Sequence, residues 1–134
     1  MNTMKKLKGL IIMLLISLVT FGLTACGGEN NDSYEQITPE KAKTIMDTEG
    51  GYAIIDARTE EEFAEGHIEG AILIPEYEVA DRAEKELPDK EQLILVYCRS
   101  GRRSKIASEA LVNLGYTNVK EFGGIIDWPY EIVK

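Results

Sequence analysis

The chain has few of the residues that build metal centres and covalent cross-links: two cysteines and one histidine in 134 positions. One histidine with a thiol cannot complete a typical four-ligand zinc site, so no metal and no cofactor is implied. Two cysteines allow at most a single disulfide. Long apolar sequence is also missing. The N-terminal run from Leu10 to Leu23 has 14 uncharged residues, short of the roughly 20 that a spanning helix needs. Internal repeats and low-complexity tracts are absent. The balance is acidic, with 23 acidic and 15 basic residues giving −8 at pH 7, which argues against nonspecific binding to nucleic acid.

Lys5, Lys6 and Lys8 precede the apolar run, and Leu23-Thr24-Ala25-Cys26 closes it. A basic segment, an apolar segment and small residues before a cleavage point read as a secretory signal. Leu-Thr-Ala-Cys resembles the lipobox of bacterial lipoproteins. That resemblance implies removal of residues 1–25, a diacylglyceryl thioether on Cys26, and anchoring at the extracytoplasmic face of the cell membrane. The alternative is an ordinary signal peptide with Cys26 incidental. Residues 26–36, with Gly27-Gly28-Glu29-Asn30-Asn31-Asp32-Ser33, are expected to form the lipidated end and a flexible tether. Residues 37–134 are left for one compact domain. The mature chain would carry 12 basic and 23 acidic residues, a net charge of −11. With Cys26 lipidated, Cys98 is the remaining free thiol, and an internal disulfide is excluded.

Thr38-Pro39-Glu40 has the features of a helix start: an N-cap threonine, proline at the first position and an acid in the first turn. Ala42, Ile45 and Met46 share its predicted buried face, and Gly50-Gly51 ends it. Tyr52 to Asp56 is an apolar run the size of a buried parallel strand. Thr59-Glu60-Glu61-Glu62 fits a capping box, opening a short helix that stops at Gly66. Ala71 to Ile74 is a second strand, closed by Pro75. Val79 to Leu87 is read as a charged surface helix. Leu93 to Tyr97, the most apolar run, is the central strand. Ile106, Ala107, Ala110, Leu111 and Leu114 recur at helical spacing within Lys105 to Leu114, and Gly115 stops that helix. Val119 to Phe122 is a last strand. Strands alternating with helices predict an α/β domain with a mainly parallel sheet.

Cys98-Arg99-Ser100-Gly101-Arg102-Arg103-Ser104 lies between the central strand and the following helix. Four of the 15 lysines and arginines fall between Arg99 and Lys105, in a chain that is otherwise acidic. Ligands of parallel sheets bind at the carboxyl ends of strands, where Cys98 stands. An ordinary thiol is mostly protonated at pH 7, and about 2 kcal/mol of differential stabilisation makes it half ionised. A helix N-terminus, backbone N–H groups and nearby guanidinium groups can supply that. Gly101 permits the tight turn that points the amides inward. Arg99 and Arg103 are expected to face the site, with Arg102 beside them.

The domain resembles a single rhodanese domain. One matching stretch is Ile54-Ile55-Asp56-Ala57-Arg58, with Glu62-Phe63, Gly66-His67-Ile68-Glu69-Gly70-Ala71 and Ile74-Pro75. A second runs from Val96 through Cys98 to Ser104. A third is Leu114-Gly115-Tyr116-Thr117-Asn118-Val119, with Phe122-Gly123-Gly124-Ile125 and Trp128. The resemblance implies a rhodanese-like fold, helices on both faces of the sheet, and a sulfurtransferase. Cys98 would take sulfane sulfur from a small anionic donor such as thiosulfate and hold it as a persulfide. It would then pass the sulfur to cyanide or a thiol, with Arg99, Ser100, Gly101, Arg102, Arg103 and Ser104 as the cradle. No resolving thiol is available, so the acceptor must come from outside the chain.

Blander readings stand beside these. Cys98 is alternatively an inert buried thiol, and the arginines a solvated helix start. His67 is alternatively a base for Cys98, but the resemblance makes its stretch a turn. Asp56 and Arg58 read as an ion pair near a strand end in preference to catalytic groups, and Trp128 as core or rim. Two further functions compete: a module that holds sulfur or a thiol without turnover, and a cysteine-dependent phosphatase or arsenate reductase. Phosphatases of that type use Cys-x5-Arg, whereas Cys98 to Arg103 is Cys-x4-Arg, a tighter loop better matched to one sulfur than to a tetrahedral oxyanion.

Overall fold

A computed structural model of the chain describes residues 33–134. The expected signal sequence, the lipidated Cys26 and most of the tether lie outside the described residues. The elements are β1 (Glu35–Gln36), α1 (Pro39–Thr48), β2 (Ala53–Asp56), α2 (Glu60–Glu65), β3 (Ala71–Leu73), α3 (Val79–Glu86), β4 (Ile94–Cys98), α4 (Arg102–Asn113) and β5 (Val119–Gly124). Single 3₁₀ turns occupy Glu76–Glu78 and Ile125–Asp127. The five strands form one parallel sheet in the order β1-β5-β4-β2-β3.

Local chemistry accounts for the helix starts. The Thr38 hydroxyl accepts from the Lys41 N–H at 3.2 Å with Pro39 inside the first turn, leaving fewer orphan donors at the end of α1. Thr59 and Glu62 close the predicted capping box of α2. Every residue of β2 and β4 is buried, as a sheet covered on both faces requires. One face packs Ile55, Val96 and Cys98 against Val79 and Ala83 of α3 and Ala107 and Leu111 of α4. The other packs Ile54, Leu95, Tyr97 and Phe122 against Ala42 and Ile45 of α1 and against Trp128.

Four local expectations are corrected. Glu35–Gln36 pairs with β5 in parallel, inside the segment read as tether, and Glu35 forms an ion pair with Lys120. A two-residue edge strand carries no periodicity to read. Helix α3 is more than a surface helix, because Val79, Ala83 and Leu87 are at most 3% exposed. Helix α4 starts at Arg102 instead of Lys105, so Arg102, Arg103 and Ser104 form its first turn. Ile106, expected inside, is 41% exposed. The buried face is Ser104, Ala107, Ser108 and Leu111; Ser104 finds polar partners at the sheet end beneath it, whereas the Ser108 hydroxyl is buried without one among the described residues.

Asp56 and Arg58 form the ion pair that the sequence suggested, and it is buried. Asp56 is fully covered and Arg58 is 5% exposed. Arg58 Nη2 donates to Asp56 Oδ2 at 2.7 Å and Nε to Oδ1 at 3.0 Å. The Tyr97 hydroxyl donates to Asp56 Oδ2 at 2.7 Å and accepts from the Ile68 N–H at 3.0 Å. Burial alone would weaken the Arg58 charge, but hydrogen bonding and attraction to Asp56 raise its pKa. Burial, then the Asp56 charge and hydrogen bond, pushes the Tyr97 phenol up and keeps it a donor. Arg58 Nη2 also donates to the Gly66 carbonyl at 2.7 Å, which ties the end of β2 to the end of α2. Asp56→Ala strands the buried guanidinium, and is expected to cost about 3–5 kcal/mol in urea denaturation.

Candidate active site

Cys98 is the last residue of β4. In the strand order β2 runs outward to β3, while β4 lies on its other side, so β2 and β4 flank the point where the winding reverses. Ligands of open α/β sheets bind at the carboxyl ends of such strands. The β4–β5 register shifts here: Val96 pairs with Glu121, but Cys98 pairs with Gly124. The extra residue in β5 makes a bulge, which bends the strand beneath the cysteine loop. A Cβ at Gly124 would stand 2.0 Å from the Arg99 carbonyl oxygen, so only glycine lets the loop settle onto the strand. The Arg99 carbonyl in turn accepts from the Ile126 N–H at 3.2 Å.

The loop proper is Arg99 to Gly101. Gly101 has φ 106°, a left-handed conformation that turns its N–H onto Cys98 Sγ at 3.0 Å. Helix α4 begins immediately, with no capping side chain and no acid in its first turn. Its free N–H groups and macrodipole therefore put partial positive charge beside the sulfur. Cys98 is 1% exposed, and the sulfur sits at the floor of the loop.

The predicted cradle residues separate into three groups. Arg99, Ser100 and Arg102 are exposed, and no group among the described residues pairs with the two guanidiniums. Arg103, expected to face the site, is held instead by Glu62 in a two-pronged pair at 2.7 and 2.8 Å. Ser104, expected to contact substrate, is fully buried. It accepts from the Cys98 thiol at 3.4 Å and donates to Glu121 Oε1 at 2.6 Å, so it supports the sulfur from below. His67 makes no contact with Cys98. Its ring stacks on Phe63 at 3.7 Å, Nδ1 bonds the Phe63 carbonyl at 3.0 Å, and its backbone pairs with Val133. Asp56 and Arg58 stay in the buried network beside the loop. Trp128 packs on Phe122 and Tyr130 at the rim. A cavity of about 720 Å³ opens between α1 and Trp128, lined by Met46, Tyr52, Ile54 and Ile68; no cysteine-loop residue lines it.

Two functional residues were not singled out from the sequence. Glu62 shares its carboxylate between Thr59 and Arg103, and hydrogen bonding to Arg103 lowers its pKa from 4.5 to about 2. The capping-box spacing marked Glu62, but its partner lies 41 residues away. Hydrogen bonding to Glu62 raises the Arg103 pKa, with a smaller contribution from Cys98. Glu121 is 3% exposed beneath the loop. Its signal was present: it alternates with buried Val119, which puts an acid on the buried face of a strand.

The family model of the rhodanese-like domain matches residues 38–129. The chain belongs to the rhodanese-like domain family. The thiosulfate sulfurtransferase PspE of Escherichia coli is 44% identical over 80 residues, which span 60% of this chain and 77% of the relative. The thiosulfate sulfurtransferase GlpE of Pseudomonas aeruginosa is 30% identical over 94 residues, spanning 70% and 82%. A solved structure described as a rhodanese with anions from E. coli aligns with TM-score 0.59 and 41% identity, covering 62% of this chain and 98% of that one. The α/β fold, the parallel sheet and its helices on both faces are those of the rhodanese-like family.

Glu62 gives this rhodanese-like domain a pH-dependent increment of stability. Its folded pKa of about 2 lies below its ordinary 4.5, so the increment is present above pH 4.5 and lost as pH falls through 2. The pair is partly exposed and worth about 1 kcal/mol. Glu62→Gln is expected to melt a few degrees lower at neutral pH, with the gap closing towards pH 2 in thermal scans. Gly124→Ala is expected to lower the unfolding free energy measured in urea by about 1–3 kcal/mol, through overpacking against Arg99.

Proposed function

We propose that this rhodanese-type sulfurtransferase carries sulfane sulfur on Cys98 as a persulfide, taken from an anionic donor such as thiosulfate. The observation that carries the reading is the environment of Sγ: the Gly101 N–H at 3.0 Å and the uncapped start of α4 directly beyond it. Both stabilise negative charge on the sulfur. The unpartnered Arg99 and Arg102 supply attraction for an anion approaching the loop. Arg103 contributes to the field while Glu62 fixes its position.

In the charging step the Cys98 thiolate attacks the sulfane sulfur of thiosulfate. The new S–S bond forms on Sγ as the bond to the sulfonate breaks, and sulfite leaves with that electron pair. In the discharging step cyanide in vitro, or a thiol in vivo, attacks the outer sulfur and the pair returns to Sγ. The donor and acceptor both come from outside, because no second thiol stands near Cys98 among the described residues. The three-residue loop before α4 supports a single sulfur over the tetrahedral oxyanion of a phosphatase or arsenate reductase. One observation favours sulfur holding over turnover, namely the nearly complete cover of Cys98.

The lipobox-like Leu23-Thr24-Ala25-Cys26 supports a location for this activity: removal of residues 1–25, a lipid on Cys26, and a domain tethered at the extracytoplasmic face of the cell membrane. The acidic domain then works beside the membrane without adhering to anionic lipid.

Intact-mass and peptide mass spectrometry test the reading. Incubation with thiosulfate is expected to add about 32 Da to the Cys98 peptide, and cyanide to remove it as thiocyanate. Cys98→Ser loses both. A thiol that stays unmodified with thiosulfate and polysulfide overturns the proposal.

A further inference from the structure

One buried ionisable group lies under the cysteine loop without a counter-ion among the described residues. Glu121 is 3% exposed, and its Oε1 accepts from the Ser104 hydroxyl at 2.6 Å and the Gly123 N–H at 2.8 Å. Ser104 is fully buried. Its one hydroxyl hydrogen has three acceptors in reach: Glu121 Oε1 at 2.6 Å, the Gly101 carbonyl at 3.0 Å and the Gly123 carbonyl at 3.4 Å. The carboxylate is both nearest and charged, so it takes the hydrogen. That leaves the Ser104 oxygen as an acceptor, and the Cys98 thiol donates to it at 3.4 Å. Thiol, hydroxyl and carboxylate form one directed chain. Cys98 is 1% exposed, so the Ser104 hydroxyl is the protein group placed to take the thiol proton.

We propose that Ser104 and Glu121 form a proton relay for Cys98, in which Glu121 acts through Ser104 and not on the sulfur itself. When the thiol ionises, its S–H bond breaks and the proton moves to the Ser104 oxygen. The Ser104 proton moves to Glu121 Oε1, and the electron pair stays on Sγ. The thiolate then accepts hydrogen bonds from both the Ser104 hydroxyl and the Gly101 N–H, while Glu121 is a neutral buried acid. When sulfur leaves Cys98 the proton returns by the same path, so no outside acid, base or oxidant is consumed. This cycle rests on the sulfur-transfer reading, whereas the relay itself concerns the thiol alone.

The charged groups on the surrounding elements are Arg99 on the loop, Arg102, Lys105 and Glu109 on α4, Arg103 with Glu62, Arg58 with Asp56 at the end of β2, Lys120 with Glu35 across β5 and β1, and Asp127 after β5. None of their side chains hydrogen-bonds to Cys98, Ser104 or Glu121. They set a background field and do not share the proton.

The test is the rate of iodoacetamide alkylation of Cys98 in the full-length protein as a function of pH, read on the Cys98 peptide by mass spectrometry. A thiol and a carboxylate that share one proton titrate as a pair. The wild-type rate is therefore expected to rise in two separate steps as pH increases. Glu121→Gln keeps an oxygen for Ser104 and Gly123 but cannot take the proton. It is expected to show one step, with alkylation about tenfold slower than wild type on the acidic limb. Ser104→Ala interrupts the path and is expected to give the same profile. A fixed negative charge has the opposite signature, because removing it favours the thiolate and speeds alkylation. A single step in the wild-type protein, or faster acidic alkylation in Glu121→Gln, overturns the proposal. The wild-type profile decides the matter even where a variant fails to fold. Two steps in a protein that transfers sulfur to no acceptor would refute the sulfur-transfer reading and leave the relay standing.

Discussion

The close approach of the Arg99 carbonyl to Gly124 fixes where everything else in the site can stand. It brings the loop down onto β5 at the point where the strand bulges, and that contact sets the start of α4. Gly101 can then turn its N–H onto the sulfur, and the first turn of the helix covers Ser104 and Glu121. A side chain at Gly124 would lift the loop by more than a hydrogen bond can stretch. The electrostatics of Cys98 thus depend on the absence of one methyl group on a neighbouring strand.

Two carboxylates serve the arginine-rich loop differently because they differ in burial and partner. Glu62 is partly exposed, ionised well into acid, and committed to Arg103. It takes one cation out of competition for substrate and holds it still. Glu121 is buried and has a hydroxyl and an amide for partners in place of a cation. The exposed Arg99 and Arg102 are left as the charges that meet the solvent. A fixed cation on α4, exposed cations on the loop and α4, and a buried acid on β5 therefore surround the same sulfur.

What could be read from the sequence was local. The capping box at Thr59, the proline-started helix at Pro39 and the strand ending at Cys98 each depend on a few consecutive residues, and all three formed. The thiol's position at a strand end followed from the same short stretch. The Arg103–Glu62 clamp, the Ser104–Glu121 bond and the bulge against Gly124 join residues 41, 17 and 25 positions apart, and no local pattern encodes such pairings. Helix α4 shows the limit from the other side. Apolar spacing put Ile106 inside, but the polar floor of the site turned Ser104 inward instead, with Ala107 and Leu111 following it on the buried face. The two-residue β1 left no mark because its partner supplies its order.

The bridge between His67 and Val133 has a bearing on how the chain is made. Its two hydrogen bonds, both 2.8 Å, join the segment after α2 to Val133, beyond β5, and the His67 ring rests on Phe63 of α2. A chain that emerges N-terminus first cannot form this bridge until Val133 has been made. The helix that carries Glu62, and with it the anchorage of Arg103, therefore gains this brace only after the cysteine loop and β5 have been made.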